Sequence, residues 1–290
     1  MCIRDSYHIG PPLPSESYLN IDKLIDVAKR SGADAIHPGY GFLSENPEFT
    51  RRCQAEGITF IGPSSEVISL LGDKIRARAA MKEAGLPVAA GSNEPINDAE
   101  EASILAEEIG YPVIIKAAAG GGGIGMQVVN QKSDFESALK LCQSRAQSAF
   151  GDNRVFVEKF IEGAQHVEFQ VLADGKNAIH FGERFCSIQR RHQKLIEEGP
   201  WLTEVERERI GDLVCKGAEA VGYKGLATFE FLRDKHGEFY FLEVNPRVQV
   251  EHTVTEMISG HNLVELGIRI AQGESLPVSQ DEIEIKGHAI

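Results

Sequence analysis

Two short strands that turn two glutamates onto one face constrain this chain more than any other feature of it. Residues 227–252 read ATFEFLRDKHGEFYFLEVNPRVQVEH. Phe229, Glu230 and Phe231 alternate in one strand, residues 239–244 form the next, and Asp234-Lys235-His236-Gly237 supplies turn chemistry between them. A two-residue loop at His236-Gly237 pairs Lys235 with Glu238 and sets Glu230 directly opposite Glu243; a four-residue loop leaves them on one face, a diagonal step apart. Facing carboxylates repel unless something compensates, and a hard divalent cation is the natural compensation, since Mg²⁺ takes one or two carboxylates plus substrate phosphates. A solvated acidic face is the bland alternative, weakened by Phe229, Phe231, Phe239, Tyr240, Phe241 and Leu242, which argue for burial. Beyond Glu243 the period of two continues through Asn245, Arg247, Gln249 and Glu251, with Val244, Val248 and Val250 on the opposite face. Extended at ~3.3 Å per residue the row covers about 26 Å, enough to run from a metal-bound phosphate to a second substrate. Pro246 bends it or places it on an edge. An Arg–Glu ion pair across the face is the plainer account.

A second stretch points the same way. Residues 116–126 read KAAAGGGGIGM, where missing β-carbons let backbone N–H groups approach phosphate oxygens. Gly120, Gly122 and Gly125 match G-x-G-x-x-G, but Val113-Ile114-Ile115 before and Gln127-Val128-Val129 after both read as strands. Dinucleotide folds and P-loops need a strand and then a helix. A glycine-rich lid over a nucleotide fits these flanks, as does a flexible hairpin tip. Lys116, one residue past an apolar strand, is placed to meet a phosphate as a point charge, or else is a solvated strand-end lysine.

Around these stretches, residues 19–29 and 47–56 read as helices and 33–37 and 58–61 as short buried strands, an alternation that suggests a parallel α/β layer. Residues 66–84 read as one helix, capped by Ser64 or Ser65 and stopped by Gly85, followed by a linker at 91–98 and a helix at 99–109. From 111 to 158 the order is strand, glycine loop, strand, helix, strand. A larger α+β block follows, with strands at 167–172, 178–185, 227–232 and 238–244 and a long helix at 203–221. The 290 residues suffice for about two domains. A net charge of −13 disfavours a broad grip on nucleic acid or an anionic membrane, but not a local phosphate pocket. No apolar run approaches the ~20 residues that span a bilayer. The five cysteines form no C-x-x-C clip, so the chain reads as reduced and cytoplasmic. The opening MCIRDS follows no period, and residues 282–290 alternate like a strand that is either cut off or frayed.

Gln189-Arg190-Arg191-His192-Gln193-Lys194 sits between a strand and an acidic turn at Glu197-Glu198. It either binds an anionic substrate or salt-bridges those glutamates. Cys186 has no activating arrangement and reads as a small half-buried residue.

Taken together, KAAAGGGGIGM, EKFIEGAQHVEFQVLAD, RRHQK and FLEVNPRVQVEHTVTE resemble biotin carboxylase, the ATP-grasp component of acetyl-CoA, propionyl-CoA and related biotin-dependent carboxylases. HPGYGFLSEN at 37–46 and GDK at 72–74 are similar too, so the resemblance runs from about residue 7 to 290. It implies a mixed α/β and α+β fold: a partial N-terminal Rossmann-like (pre-ATP-grasp) domain over residues 1–73, a two-lobed ATP-grasp fold over 74–272 with a small lid lobe at about 88–160, and the start of a truncated C-terminal domain at 273–290.

The resemblance implies that Lys74, Lys116, Glu158, Lys159, Ile161, His166, Gln189 and His192 line the nucleotide site, with Gly122 and Gly123 over the phosphates. Glu230, Glu243 and Asn245 hold Mg²⁺ or Mn²⁺; Lys194, Arg247, Gln249, Val250 and Glu251 contact bicarbonate, and Gly41 lies beside the biotin ring. Glu230 and Glu243 thereby also belong to the ATP site. The implied chemistry is ATP-driven carboxylation of carrier-bound biotin through carboxyphosphate, with Glu251 as general base, Arg247 steadying the biotin enolate and Lys194 beside the reacting anion. The implied partners are a biotin carboxyl carrier protein or domain, carboxyltransferase subunits and a second copy in a homodimer, without nucleic acid or membrane. Ile124 departs from the Arg or Lys common in the family's glycine loop, and a family arginine that helps hold bicarbonate lies beyond residue 290, so a fragment with impaired turnover is expected. Another ATP-grasp ligase of carbamoyl-phosphate type, or a non-catalytic nucleotide-binding protein, is the alternative.

Overall fold

The computed structural model describes residues 6–96, 98–119, 125–190 and 193–290. The N-terminal part is α1 (Ile21–Ser31), β1 (Ala35–Ile36), α2 (Pro47–Ala55) and β2 (Thr59–Phe60), and β1 pairs with β2 in parallel as the alternation predicts. Asn20 and Asn46 cap the two helices through Lys23 N and Phe49 N. The predicted helix at 66–84 is two helices, α3 (Ser65–Gly72) and α4 (Lys74–Glu83). Asp73 breaks the run because its carboxylate accepts from Ile75 N and Arg76 N, starting a new helix instead of continuing the old one. The break puts Lys74 on the first turn of α4.

The small lobe follows as α5 (Ala99–Ile109), β3 (Val113–Ala117), β4 (Met126–Val129), α6 (Phe135–Phe150) and β5 (Val155–Lys159). Its antiparallel sheet runs in the order β4-β3-β5. One face packs on α5 and α6 through Val113, Ile115, Val155 and Val157. Ile114, Lys116 and Glu158 lie on the other face, which the alternation of a strand leaves free to line a cleft.

The large lobe contains β6 (Gln165–Asp174), β7 (Ala178–Arg190), β8 (Gln193–Glu198), α7 (Glu204–Ala220), β9 (Lys224–Arg233), β10 (Phe239–Asn245), α8 (His252–Ser259) and α9 (Leu263–Ala271). Its antiparallel sheet runs β10-β9-β6-β7-β8. The basic stretch at 189–194 therefore does not sit before an acidic turn: Arg190 on β7 pairs with Gln193 on β8, and Glu197-Glu198 belong to β8. Residues 282–290 form no strand; Ala289 makes one isolated bridge to Gly199. Among the described residues no helix is long and apolar enough to cross a membrane.

At its tip the β9–β10 hairpin departs from both predicted registers, although Glu230 does lie opposite Glu243 as the two-residue loop predicted. Asp234 N donates to Glu238 O and Gly237 N to Asp234 O, with Gly237 at φ +87°, so Lys235, His236 and Gly237 form the loop. Phe241 then pairs with Phe231, and an irregularity at Leu242 restores Glu243 opposite Glu230. The core explains the bulge. It turns Phe239 and Phe241 inward against Phe231 at 6.2 and 6.0 Å between ring centroids, where the unbulged register would bury Tyr240 and Leu242.

Candidate active site

Three neighbouring strands of the large sheet carry a row of carboxylates. Glu168 on β6 pairs with Glu230 on β9, which pairs with Glu243 on β10, and on the other flank Glu168 pairs with Arg184 on β7. Like charges at paired positions repel, so the row stands only because cations are interleaved with it. Arg184 is fully buried and donates from Nε to Glu168 Oε1 at 2.6 Å, and to Gln170, Thr228, Thr255 and Gln249. Lys194 bonds Glu168 Oε2, Glu230 Oε1 at 2.8 Å and Glu251 Oε1 at 3.0 Å. Lys74 bonds Glu243. His166 Nε2 lies 2.7 Å from Glu230 Oε2, a charge contact without hydrogen-bond alignment, while its Nδ1 meets Gln189 Nε2 at 2.7 Å.

Burial opposes ionisation throughout this row, but the opposite charges win. Desolvation pushes the Glu230 carboxyl up, yet Lys194 and His166 hold it well below the usual carboxylate range. Glu168 is likewise held low, against burial, by Arg184 and Lys194. Lys194 is raised by Glu168 and Glu230 and Lys74 by Glu243, each against a desolvation that favours the neutral amine. The cluster is thus a set of fixed charges, suited to holding ions in place.

Its open side faces a cleft of about 930 Å³ between the two lobes. From α4 comes Lys74, and from the small lobe Lys116, Glu158, Lys159 and Ile161; β6 and β7 supply His166 and Gln189. Glu230, Glu243, Asn245 and Lys194 line the floor, and Arg247, Gln249, Val250, Glu251 and Gly41 its far end. The described residues singled out in the sequence are therefore together around one space. Gly122, Gly123 and His192 lie outside the described residues.

Details differ from expectation. Lys116 is neither past its strand nor solvated: it lies within β3, is buried, and bonds Glu158 Oε2 at 2.6 Å. Lys159 turns its ammonium onto Gly110 O at 2.8 Å and Tyr111 O at 3.2 Å, the negative end of α5. The row from Glu243 to Glu251 is not one extended strand. β10 ends at Asn245, Arg247 N bonds back to Asn245 O, and the chain coils into α8. Val244 and Val248 are buried, but Val250 is 58% exposed at the cleft. Arg247 bonds Glu45, outside the row, tying this end of the site to the segment after Gly41. Cys186 is fully buried, not half-buried, and desolvation pushes its thiol far up.

Sequence reasoning missed Glu168 and Arg184. A charged residue flanked by Val167 and Phe169, both fully buried, was the available signal, because a carboxylate in such a run needs a buried partner. It also missed the apolar lining from Ile114, Met126, Tyr240 and Leu242, suited to a flat ring system. As to metal, Glu230 and Glu243 offer hard oxygens from paired positions beside the cleft, and Asn245 Nδ2 bonds Glu230 Oε1 at 2.7 Å. That donor set fits Mg²⁺. His166, Glu168 and Glu230 also bring ligand-type atoms within 4.8 Å of one another, but Lys194 and Arg184 already supply the positive charge there.

Comparison with known proteins agrees with this geometry. Residues 73–279 match the family described as "Carbamoyl-phosphate synthase L chain, ATP binding domain", and residues 3–68 match "Biotin carboxylase, N-terminal domain". A pyruvate carboxylase subunit from Methanothermobacter thermautotrophicus is 52% identical over 289 residues, 99% of this chain and 59% of that protein. Biotin carboxylase 1 of Bacillus subtilis is 49% identical over 290 residues, 99% of this chain and 64% of that protein. A biotin carboxylase–β,γ-ATP complex from Campylobacter jejuni superposes with a TM-score of 0.93 at 52% identity, covering 97% of this chain and 63% of that one. The biotin carboxylase domain dimer of Hydrogenobacter thermophilus 2-oxoglutarate carboxylase, solved with MgADP, ADP and bicarbonate, gives 0.92 at 48% identity over 96% of this chain and 62% of that one. The chain spans roughly three fifths of the length of these relatives. Nearly all of it is matched, at about half identity and with the same fold, and on that basis the chain belongs to the ATP-grasp family of biotin carboxylases.

Proposed function

We propose that this chain binds MgATP and bicarbonate in the inter-lobe cleft and carries the ATP-dependent carboxylation of biotin. The observation that carries the reading is the paired Glu230 and Glu243 beside Lys74, Lys116 and Lys194, with Glu251 bonded to Lys194 in the same space. Lys74, Lys116, Glu158, Lys159, Ile161, His166 and Gln189 take the nucleotide, while Glu230, Glu243 and Asn245 hold Mg²⁺, or Mn²⁺ in its place. When bound, the cation offsets charge on the phosphates.

The residues of the chain supply the rest. Lys194, Arg247, Gln249 and Val250 seat bicarbonate, and the Glu251 carboxylate accepts its proton. The freed oxygen attacks the γ-phosphorus, ADP departs, and carboxyphosphate results. Its C–O bond then breaks to give CO₂ and phosphate, and the phosphate takes the ureido N–H proton. The ureido nitrogen of the resulting biotin enolate, which Arg247 steadies from beside Gly41, attacks CO₂ to form the N–C bond. Residues 1–73, 74–272 and 273–290 act as N-terminal, ATP-grasp and C-terminal units, in a cytoplasmic protein. A biotinylated carrier, carboxyltransferase subunits and a second copy of the chain are the partners. Relatives whose names include pyruvate carboxylase and biotin carboxylase support the acceptor chemistry. The test is bicarbonate-dependent ATP cleavage with free biotin as acceptor. Glu251→Gln is expected to keep MgATP binding and lose about 10²–10⁴-fold in rate. Unchanged cleavage in that variant defeats the assignment.

A further inference from the structure

The two walls of the cleft are joined by an extended crossing at residues 87–96. At one end it holds the large sheet: Val88 bridges Phe241, and Phe241 N donates to Pro87 O at 2.7 Å. At the other it runs along β5, where Lys159 N donates to Ala90 O at 2.7 Å and Ser92 N to Val157 O at 2.8 Å. Gly91 permits the approach, since a Cβ there would lie 2.6 Å from Val157 O and 2.9 Å from Glu158 Cγ.

Arg78 lies under this crossing, its side chain 7% exposed. Its Nη2 donates to Ala89 O and its Nη1 to Ser92 O at 3.3 Å. Its Nε lies 2.9 Å from Glu158 Oε1, and Lys116 Nζ takes the other oxygen of that carboxylate. One turn earlier on the same face of α4, Lys74 bonds Glu243 on the large sheet. Helix α4 is therefore a strut with two cations one turn apart, each gripping a carboxylate from a different wall.

We infer that Arg78 is a positioning residue which, with Lys74, sets the spacing of the two walls and aims Lys116 at the phosphates of a bound nucleotide. The inference rests on the nucleotide reading of the cleft. Arg78 acts through Glu158 and the crossing; it does not line the main cleft but a separate crevice of about 380 Å³ beside α5. The planar fork of the guanidinium reaches both carbonyls and the carboxylate at once, which an ammonium cannot do.

The test compares the chain with Arg78→Met and Arg78→Lys by MgATP calorimetry and by amide exchange across 87–96 and β5. Arg78→Met is expected to weaken MgATP at least about tenfold and to speed exchange in the crossing, leaving KM for bicarbonate unchanged. Arg78→Lys is expected to give the same faster exchange with an intermediate affinity; it decides the matter if the methionine variant does not fold. A folded variant within about twofold of the parent affinity overturns the inference, even with a lowered Tm, because that is what a merely structural role predicts. If the parent chain itself takes up no MgATP, the nucleotide reading fails separately. Exchange alone then decides whether Arg78 holds the crossing: unaltered exchange overturns it.

Discussion

Replacing Lys194 with methionine keeps the apolar stem and removes the charge that three carboxylates share. The ammonium touches Glu168, Glu230 and Glu251, and the side chain is 16% exposed. Breaking a buried pair from one side costs about 3–5 kcal/mol, because the remaining charge stays buried without its partner. Glu168 keeps Arg184 and Glu230 keeps His166, so the lower end applies, about 3 kcal/mol. Set against a total stability of about 5–15 kcal/mol, that is a large share. At about 2–4 °C per kcal/mol the melting point falls by about 6–12 °C. Urea and thermal unfolding near neutral pH, without ligands, read both quantities. The sign with pH follows from the shifts. Lys194 is raised, so its contribution is complete below about pH 10.4 and fades as pH climbs through its folded value. Glu230 is lowered, so its contribution is complete above about pH 4.3 and fades as pH falls through its folded value. The deficit of the variant is therefore widest between these limits and narrows in acid, as the stranded carboxylates take up protons. Glu168→Gln strands Arg184 and destabilises in either background, but it is expected to cost less once Lys194→Met has already removed one of the two cations that Glu168 pairs with. A loss under about 1 kcal/mol, the worth of an exposed pair, refutes the argument. So does a Glu168→Gln effect equal in both backgrounds.

Three further outcomes are expected. Asp73→Ala removes the cap of α4 and an ion pair to Arg154 Nη1 at 2.9 Å, costing about 1 kcal/mol by denaturant titration and loosening the turn that carries Lys74. Val248→Ala, at 7% exposure, costs about 2 kcal/mol, whereas Val250→Ala, at 58%, stays within about 0.5 kcal/mol; equal effects would restore the simple alternation along this segment. Burial pushes the Cys53 and Cys142 thiols up to about 11 and Cys215 to about 12, so iodoacetamide in mild alkali is expected to label these three only after denaturation, as mass spectrometry reports.

Periodicity carried the helices and strands well where one face is apolar and the other is not. The small lobe illustrates this, with α5 at the predicted 99–109 and strands on both sides of the glycine stretch. It failed where a single side chain decides. Nothing in the apolar spacing of 66–84 marks Asp73 as a cap, because a cap is a local hydrogen-bond choice within an otherwise helical pattern. The run after Glu243 alternates perfectly on paper, yet Pro246 ends the ladder and the later residues coil toward α8. β8 was hidden because Gln193 and Lys194 face the cleft while its apolar Leu195 and Ile196 are exposed, so no buried apolar period marks it. Glu230 opposite Glu243 was legible; the third carboxylate was not, since Glu168 meets them only through pairing with a strand some sixty residues away.

The surplus residue at Leu242 separates what the two ends of its hairpin answer to. Near the tip, the seating of Phe239 and Phe241 in the interior chooses the alignment; past the bulge, Val244 seated against the core and the lysines that hold Glu230 and Glu243 side by side choose it. Were the tip to slip by one place, with Lys235 against Glu238, the surplus would vanish and Glu243 would stay where it is. Sequence drift among the aromatic residues of the tip is in this way insulated from the ion-holding end, which can outlast a rearranged neighbour.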